Sequence, residues 1–268
     1  MRPFSRRRFL RTVGGAAVGT AAVGAAALSS GPLAATPTAE TSNAPWGEPG
    51  IRASATPLFG GLQILPRAEW GADLATKGPL YPEDSRFVLV HHTASPNDRR
   101  APREIIRISH AYHTGPKGWA DIAYNFMIGY DGSVWETRAG SLAGPVIADA
   151  SGGSQGFAQL ICLVGDFSRV PPPAAMQESL VRLIAFLAHR DSIDLTAGST
   201  ASFTSRGSDR FPSGRPVTVR TLSGHRDCTF TTCPGDVGYS LIPAWRDRAR
   251  LLLAERSPFE HAERLGPA

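Results

Sequence analysis

The stretch RFVLVHHTA, which runs from Arg86 to Ala94, decides the fold of this 268-residue chain. A short apolar run bounded by turn residues is typical of a buried strand. The run ends in two adjacent histidines, His91 and His92, where a loop begins. Strand ends are rigid and open onto clefts, so this stretch predicts a buried strand that holds an imidazole in fixed geometry.

Three further segments predict strands. LICLVGDF, from Leu160 to Phe167, is another buried apolar run, and VTVRTLSGHRD, from Val217 to Asp227, is a strand ending near His225. IAYNFMIGYDGSVWETR carries two strand-like runs separated by Asp131-Gly132, a strong hairpin signal. The Gly/Ser/Thr-rich residues 196–216 predict a surface hairpin or a long loop.

Three segments predict helices that alternate with these strands. Pro102 suits a first helical turn, and Pro173 opens the clearest helix. A last helix is expected around residues 241–254. Strands interleaved with helices indicate an α/β or α+β domain with helices over one central sheet. The residues at helical spacing are Ile105, Ile108 and Tyr112 in the first helix, Met176, Leu180, Leu183, Ile184, Leu187 and Ala188 in the second, and Trp245, Ala249 and Leu252 in the third.

The formal net charge of +5 suggests a basic protein, but all of it lies at the N-terminus. SRRRFLR, from Ser5 to Arg11, precedes a weakly apolar Ala/Gly/Val stretch, the pattern of a twin-arginine export signal. Cleavage of this leader removes five arginines and no acidic residue, so the mature chain is formally neutral. We therefore expect export by the twin-arginine machinery to a secreted or cell-wall location, and no nucleic-acid partner. The alternative is a basic tail that binds an anionic partner.

The chain divides into four parts. Residues 1–39 are the expected leader, 40–61 a Pro/Ser/Thr/Gly-rich linker, 62–258 a single domain and 259–268 a C-terminal tail. No run of 18 or more strongly apolar residues occurs, so we expect no stable membrane span. We expect a monomer.

Two histidines and a cysteine form the candidate site. His91 and His225 both stand at ends of predicted strands, and Cys233 follows His225 by eight residues in GHRDCTFTTCPGD. Two imidazoles and a thiolate leave a fourth tetrahedral position open, the arrangement of a catalytic zinc site. Cys228 is also close enough in sequence for metal ligation to be conceivable.

VLVHHTA, GWADIAYNF, SGHRD and TTCPGD, in this order, resemble the family of zinc-dependent N-acetylmuramoyl-L-alanine amidases and peptidoglycan recognition proteins; the upstream LPRAEWGA is also similar to that family. The resemblance implies a single domain with a central mixed β-sheet flanked by about three main helices. It also implies one Zn²⁺ per chain, held by His91, His225 and Cys233, with Tyr124 and Thr231 as catalytic residues beside it.

The resemblance further implies the reaction. The substrate would be peptidoglycan or a muropeptide, cleaved at the amide between the lactyl group of N-acetylmuramic acid and L-alanine. Zinc activates water at neutral pH and polarises the carbonyl. Tyr124 would hydrogen-bond the carbonyl oxygen or the attacking water, and Thr231 would donate to the developing oxyanion, a contribution of about 3 kcal/mol.

Two rival functions remain open from the sequence. The first is a member of the same family that binds peptidoglycan without cutting it; such members typically lose the cysteine ligand, which is present here as Cys233. The second is a thiol hydrolase with Cys233 as nucleophile and His225 as base, in which only Asp227 could orient the histidine.

Several other residues receive simpler interpretations. His92 should point to the opposite face of the strand from His91 and pack there, the alternative being that His92 is the ligand instead. His113 is a lone helical histidine, usually structural or solvent-facing, but its proximity to GWADIAYNF leaves a site role open. Cys162 and Cys228 form an even pair once Cys233 is assigned to zinc, and a disulfide between them is left open. Ordinary structural roles are also expected for His110, His189 and His261, while Trp119 and Trp135 either line a glycan groove or belong to the core.

The sequence departs from the resembled family after the predicted hairpin. Many members have a Gly-Ala-His-like turn there, whereas this chain has Gly144, Pro145 and Val146. The three proposed metal ligands are unaffected. We therefore expect the positioning of glycan and stem peptide to differ from that in the resembled family.

Overall fold

The structure, a computed structural model, describes residues 61–98 and 100–264. The predicted leader (1–39), the linker up to residue 60 and residues 265–268 lie outside the described residues. The strands are β1 (Ile64–Leu65), β2 (Phe87–His92), β3 (Phe126–Ile128), β4 (Val134–Glu136), β5 (Ala158–Leu163), β6 (Thr200–Thr204), β7 (Pro216–Arg220) and β8 (Leu222–Gly224). The helices are α1 (Ala68–Gly71), α2 (Pro102–Thr114), α3 (Ala174–Arg190), α4 (Asp236–Ser240) and α5 (Ile242–Arg264).

Six strands form a central mixed sheet in the order β1-β4-β3-β5-β2-β8. Only the β3–β4 hairpin is antiparallel, and every other neighbouring pair in this sheet is parallel. β6 and β7 form a separate two-stranded antiparallel sheet. The carboxyl ends of the parallel strands β2, β5 and β8 therefore open at one edge, where ligands are commonly bound in sheets of this kind.

The sheet is covered on both faces. Alternate residues of β2, Val88 and Val90, pack with α3 and α5 in the largest apolar cluster. Phe87 and Leu89 point to the other face, where Leu89 packs with residues of β5 and of the small sheet. α2 contributes Ile105 and Ile106 to a further apolar cluster. β2 is thus buried on both sides, as its continuous apolar run predicts.

The predicted fold class is confirmed: a mixed sheet with α2, α3 and α5 as the three long helices. The strand ending in two histidines, the hairpin at Asp131-Gly132 and the helix following Pro173 are all present. All six predicted apolar positions of α3 are buried.

The predicted apolar face of α2 is partly wrong. Ile108 is 48% exposed and Tyr112 is 37% exposed, whereas His110 and His113 are buried together with Ile105. The histidines lie on the inner face because each has a polar partner outside the helix: His110 lies 3.6 Å from Asp121, and His113 accepts the backbone N–H of Ala123. Their presence there could not be read from apolar spacing alone.

The predicted strand 217–227 is two strands in two sheets. β7 pairs with β6, and β8 joins the central sheet, with Thr221 between them. Thr221 donates its backbone N–H to Ser199 at 3.2 Å and accepts a hydrogen bond from the backbone N–H of Val88 at 2.9 Å. One residue therefore passes the chain from the small sheet to the large one.

The last helix is longer than predicted. Apolar spacing indicated residues 241–254, but α5 continues to Arg264, past the predicted domain boundary at residue 258. Apolar periodicity marks the packed part of a helix, not its full length. Among the described residues, no helix is both long and apolar enough to cross a membrane.

Candidate metal centre

The register of two parallel strands brings two of the three predicted ligands together. Val90 of β2 pairs with Gly224 of β8. His91 follows Val90 and His225 follows Gly224, and the two strands are parallel, so both histidines lie side by side at the same edge of the sheet. Their ring centroids are 4.3 Å apart. Cys233 reaches the same point from the loop that follows β8.

The spacing of the ligand atoms fits a tetrahedral metal ion. One nitrogen or sulfur atom from each of His91, His225 and Cys233 lies within 4.8 Å of the others. The Sγ atom of Cys233 is 3.7 Å from Nδ1 of His91. Zinc bonds of about 2.3 Å to sulfur and about 2.0 Å to nitrogen, at a tetrahedral angle, place those two atoms about 3.6 Å apart. The observed separation therefore matches the donor set of a zinc site.

Burial keeps both histidines neutral. It lowers the pKa of His91 well below its ordinary value and that of His225 to about 4, since the charged imidazolium loses its hydration. Neutral imidazole is the form that binds a metal. Nε2 of His91 is buried and has no hydrogen-bond partner among the described residues. The other ring nitrogen, Nδ1, faces the Cys233 sulfur at 3.7 Å, so a metal bond at Nδ1 would fix the ring.

Cys233 is held by backbone hydrogen bonds on both sides. The N–H of His92 donates to the Cys233 sulfur at 3.3 Å, a contact that favours a thiolate. The N–H of Cys233 itself donates to Oγ1 of Thr231 at 3.2 Å. The hydroxyl oxygen of Thr231 is thus an acceptor, which leaves its O–H to donate to another group.

Residues 225–235, the ligand loop, begin with a tight 3₁₀ turn at His225–Asp227. Gly224 precedes it, and a Cβ there would lie 2.8 Å from Cδ2 of Tyr239 and 2.9 Å from Cδ of Pro234. Asp227 accepts hydrogen bonds from the Gly224 N–H at 2.9 Å and from the Tyr239 hydroxyl at 2.7 Å. These contacts fix where His225 leaves the sheet. The same contacts occupy both carboxylate oxygens of Asp227, the group that the thiol-hydrolase hypothesis requires as the partner of His225.

Arg226 ties the start of the ligand loop to its end. Its backbone N–H and its Nε donate to the carbonyl of Cys233 at 3.1 Å and 3.3 Å, and its Nη2 donates to the carbonyl of Thr232. Its Nη1 forms an ion pair with Asp236 at 2.9 Å. The two ligands of the loop, His225 and Cys233, are therefore held at a fixed separation by one side chain.

Tyr124 lies beside His91, one of the three candidate ligands. Its ring centroid is 5.1 Å from that of His91, and the side chain is partly buried. Burial raises the pKa of Tyr124 well above its ordinary value, so the phenol keeps its proton and can donate it in a hydrogen bond.

His113 also lies beside Tyr124 at the site, a placement that the sequence left open beside an ordinary structural role. Its ring packs edge-on against Tyr124, with ring centroids 5.5 Å apart, and in a tilted arrangement against Trp119 at 5.1 Å. Nδ1 of His113 accepts the backbone N–H of Ala123 at 3.1 Å, and burial lowers the pKa of the ring to about 4. The only sequence signal was the proximity of His113 to the GWADIAYNF motif. Trp119 is partly exposed here, whereas Trp135 is buried in the core.

His92 points away from the three ligands. Its Nδ1 accepts the backbone N–H of Phe167 at 3.3 Å and lies 3.8 Å from a carboxylate oxygen of Asp166. This is the opposite side of β2 from His91, as strand alternation predicts. Of the remaining histidines, His110 is buried 3.6 Å from Asp121.

Neither of the other two cysteines belongs to the group of metal ligands, although Cys162 shares a hydrogen bond with the side chain of Tyr124. None of the three cysteines forms a disulfide, so the disulfide left open between Cys162 and Cys228 is not formed. Both are fully buried, and burial raises the pKa of the Cys228 thiol to about 12. Among the described residues, the group of metal-ligating side chains contains Cys233 and neither Cys162 nor Cys228.

The segment that departs from the resembled family contacts the residue before β3 and the residues at 82–83. Val146 forms an isolated bridge with Pro82, and its carbonyl accepts a hydrogen bond from Nδ2 of Asn125 at 2.8 Å. Pro145 accepts the backbone N–H of Glu83 at 3.2 Å. No histidine of the described residues stands in this segment.

Comparison with known proteins gives a consistent result. Residues 81–236 match the family described as N-acetylmuramoyl-L-alanine amidase. Peptidoglycan recognition protein 1 of Mus musculus is 30% identical over 189 residues, which covers 68% of this chain and 87% of that protein. The N-acetylmuramoyl-L-alanine amidase of Homo sapiens is 29% identical over 205 residues, covering 73% of this chain and 31% of the relative. The crystal structure of human PGRP-IBETAC in complex with glycosamyl muramyl pentapeptide superposes with a TM-score of 0.51 at 25% identity, covering 68% of this chain and 95% of that one.

Proposed function

Because the chain belongs to the N-acetylmuramoyl-L-alanine amidase family, we propose that it is an exported zinc-dependent hydrolase of peptidoglycan. The bond cleaved is the amide between the lactyl group of N-acetylmuramic acid and L-alanine of the stem peptide. The observation that carries this proposal is the convergence of His91, His225 and Cys233 within 4.8 Å at one edge of the sheet.

The three ligands have the chemistry that a hydrolytic metal needs. His91, His225 and Cys233 would hold one Zn²⁺ and leave a fourth position for a reactant. When bound, zinc supplies a Lewis acid that polarises a carbonyl and makes water nucleophilic at neutral pH. Two neutral imidazoles and one thiolate would give the centre a net charge of +1, which favours charge developing on a substrate oxygen.

Tyr124 and Thr231 supply hydrogen-bond donors beside this centre. The Tyr124 phenol keeps its proton because it is buried, and it faces His91. The oxygen of Thr231 accepts the N–H of Cys233, which directs the hydroxyl proton away from that bond. We assign to Tyr124 the orientation of the substrate carbonyl or of the attacking water, and to Thr231 donation to the oxyanion.

The substrate class rests on the relatives. The names of two relatives refer to peptidoglycan recognition and to amidase activity, and a third relative is bound to a muramyl pentapeptide. A twin-arginine leader would bring the folded protein to the compartment where such a substrate occurs. We propose that the mature protein acts there as a monomer on peptidoglycan or muropeptides.

The decisive experiment compares two cysteine variants of the mature protein. We expect Cys233→Ser to lose stoichiometric zinc and all muropeptide cleavage, because an alcohol is a poor zinc ligand at neutral pH. Cys228→Ser is the matched control, since Cys228 is buried but lies outside the three ligands. Elemental analysis gives the zinc content, and mass spectrometry of digested peptidoglycan identifies the bond cleaved.

The outcomes distinguish the proposed function from its rivals. A wild-type protein that binds zinc and peptidoglycan without releasing products is a recognition protein and not an amidase. Cleavage that survives chelation but is lost in Cys233→Ser indicates a thiol hydrolase. Either result overturns the proposal.

A second substitution tests the role of Tyr124 separately from metal binding. Tyr124→Phe removes the hydroxyl, which shares a hydrogen bond with Cys162, and leaves the ring in place beside His91. We expect full zinc content and turnover reduced by a factor on the order of 100, the loss typical of one donor to a developing oxyanion. Unchanged turnover would show that Tyr124 is only a packing residue.

A further inference from the structure

Three consecutive residues between β6 and β7 contact the ligand loop. Residues 205–215, the hairpin tip, connect β6 to β7. Ser208 donates its hydroxyl to the carbonyl of Cys228 at 2.9 Å, and Nη1 of Arg210 donates to the carbonyl of Arg226 at 2.6 Å. Between them, Asp209 bonds two further residues of the loop. A segment that the sequence indicates only as a surface hairpin or loop is thus attached to the loop that carries two metal ligands.

Asp209 makes the contacts closest to the reacting groups. Its Oδ1 accepts the backbone N–H of Phe230 at 2.9 Å and the hydroxyl of Thr229. These two residues directly precede Thr231. Phe230 is 70% exposed, so its side chain gives this part of the loop little anchorage of its own. The carboxylate of Asp209 is therefore the contact that fixes the backbone immediately before Thr231.

The hairpin tip is itself held firmly. Oγ of Ser205 donates to the carbonyl of Phe211 at 3.0 Å and accepts the N–H of Gly207 at 3.0 Å. The N–H of Phe211 in turn donates to Oγ of Ser208 at 3.0 Å. The tip is also bonded to another loop through the N–H of Arg206 and the carbonyl of Gly153, at 2.8 Å. Asp209 thus extends from a support that does not depend on the ligand loop.

We propose that Asp209 is a positioning residue of the hydrolytic site, and that it acts by fixing the backbone of residues 229–230 so that the Thr231 hydroxyl is aimed at the substrate oxygen. This inference rests on the proposed function. Because Thr231 also accepts the N–H of Cys233, the same support extends to the backbone of the cysteine ligand. Hydrogen bonds to Thr229 and Phe230 lower the pKa of Asp209, which keeps it an acceptor at neutral pH.

The structure offers a matched control for this residue. Asp194, which precedes β6 at the other end of the small sheet, also accepts one backbone N–H and one hydroxyl, from Thr196 at 2.8 Å and from Ser199 at 2.5 Å. Both aspartates are in exposed turns, but only Asp209 bonds the ligand loop. Asp194→Ala therefore removes equivalent bonds without touching the site.

The test is a double-mutant cycle between Asp209 and Thr231. We expect Asp209→Ala to lower kcat about 10-fold with unchanged zinc content, because small displacements of a catalytic group are costly. In the Thr231→Ala background the same change should have almost no further effect, since the group that it positions is gone. Asp209→Asn keeps an acceptor oxygen and should restore most of the activity, and Asp194→Ala should keep full activity.

Hydrogen exchange gives a readout that does not depend on catalysis. In metal-free protein, Asp209→Ala should increase exchange at the Phe230 and Cys233 amides, and Asp194→Ala should not. Full turnover of Asp209→Ala, or losses that simply add in the cycle, would overturn the inference while leaving the proposed function standing. If the wild type fails to cleave any muropeptide, the proposed function fails. Unchanged exchange in Asp209→Ala would then reject the positioning role as well.

Discussion

The protein positions its candidate metal ligands in two different ways. His91 belongs to β2, whose backbone is paired with β5 on one side and β8 on the other. His225 and Cys233 belong to the ligand loop, which has no strand partner and is held by side chains. The position of His91 depends on backbone hydrogen bonds between strands, which many sequences can form. The positions of His225 and Cys233 depend on the side chains of particular residues.

This difference predicts different sensitivities. A change within the sheet core should lower the stability of the whole domain but leave the geometry of the site unchanged in the molecules that remain folded. A change in a residue supporting the ligand loop should affect metal binding more than global stability. Measuring zinc affinity and the free energy of unfolding in the same variants tests whether the sheet core and the ligand loop differ in this way.

The largest effect is expected at the junction between the two regions. Gly224→Ala would place a Cβ 2.9 Å from the Pro234 ring and 2.8 Å from that of Tyr239, so the ligand loop must move away from β8. We expect a loss of about 2 kcal/mol or more in unfolding free energy and the loss of stoichiometric zinc. Gly144→Ala is the control, because a Cβ at Gly144 meets nothing within 4 Å. Normal zinc binding by Gly224→Ala would show that the loop is not held by this close contact.

A sheet-core variant should show the opposite pattern. Val90 precedes His91 and is fully buried in the cluster with α3 and α5. Val90→Ala should lower the free energy of unfolding by about 2 kcal/mol, measured by urea denaturation, through lost burial and a residual cavity. Zinc affinity, measured by chelator competition below the unfolding transition, should stay within about twofold, since the strand pairing is retained. A large loss of affinity would mean that the sheet does not position His91 independently of its packing.

The same contrast explains what the sequence predicts. β2 and α3 were predictable because a buried strand and an amphipathic helix leave a local pattern, and the Asp131-Gly132 hairpin has its own turn signal. The positions of His91, His225 and Cys233 followed from strand ends, spacing and the resemblance to a known family. Each of these signals is contained in a short segment.

The supports of the ligand loop had no such signal. The bonds of Asp209 to Phe230 and of Arg226 to Cys233 join side chains to backbone groups across a turn or between separate segments. Hydrogen bonds of this kind follow no period. The burial of His113 is similar, since it depends on the N–H of Ala123 being available nearby. Polar residues with such partners are placed by tertiary structure alone.

The smallest expected effect comes from removing one hydroxyl beneath the ligand loop. The Tyr239 hydroxyl donates a hydrogen bond to Asp227. Burial is the main cause that raises the pKa of Tyr239, to about 12, so the hydroxyl keeps its proton and remains a donor at neutral pH. Tyr239→Phe should cost about 1 kcal/mol of stability, because both side chains are only partly buried and water can replace the lost bond. Zinc affinity should nevertheless fall about 10-fold, since Asp227 would no longer be fixed beneath the His225 turn. Tyr81→Phe, which removes a hydroxyl from an exposed tyrosine, should change neither quantity. If Tyr239→Phe loses stability but keeps its zinc affinity, the side chains beneath the loop stabilise the fold without positioning the ligands, and the distinction between the two regions fails at that point.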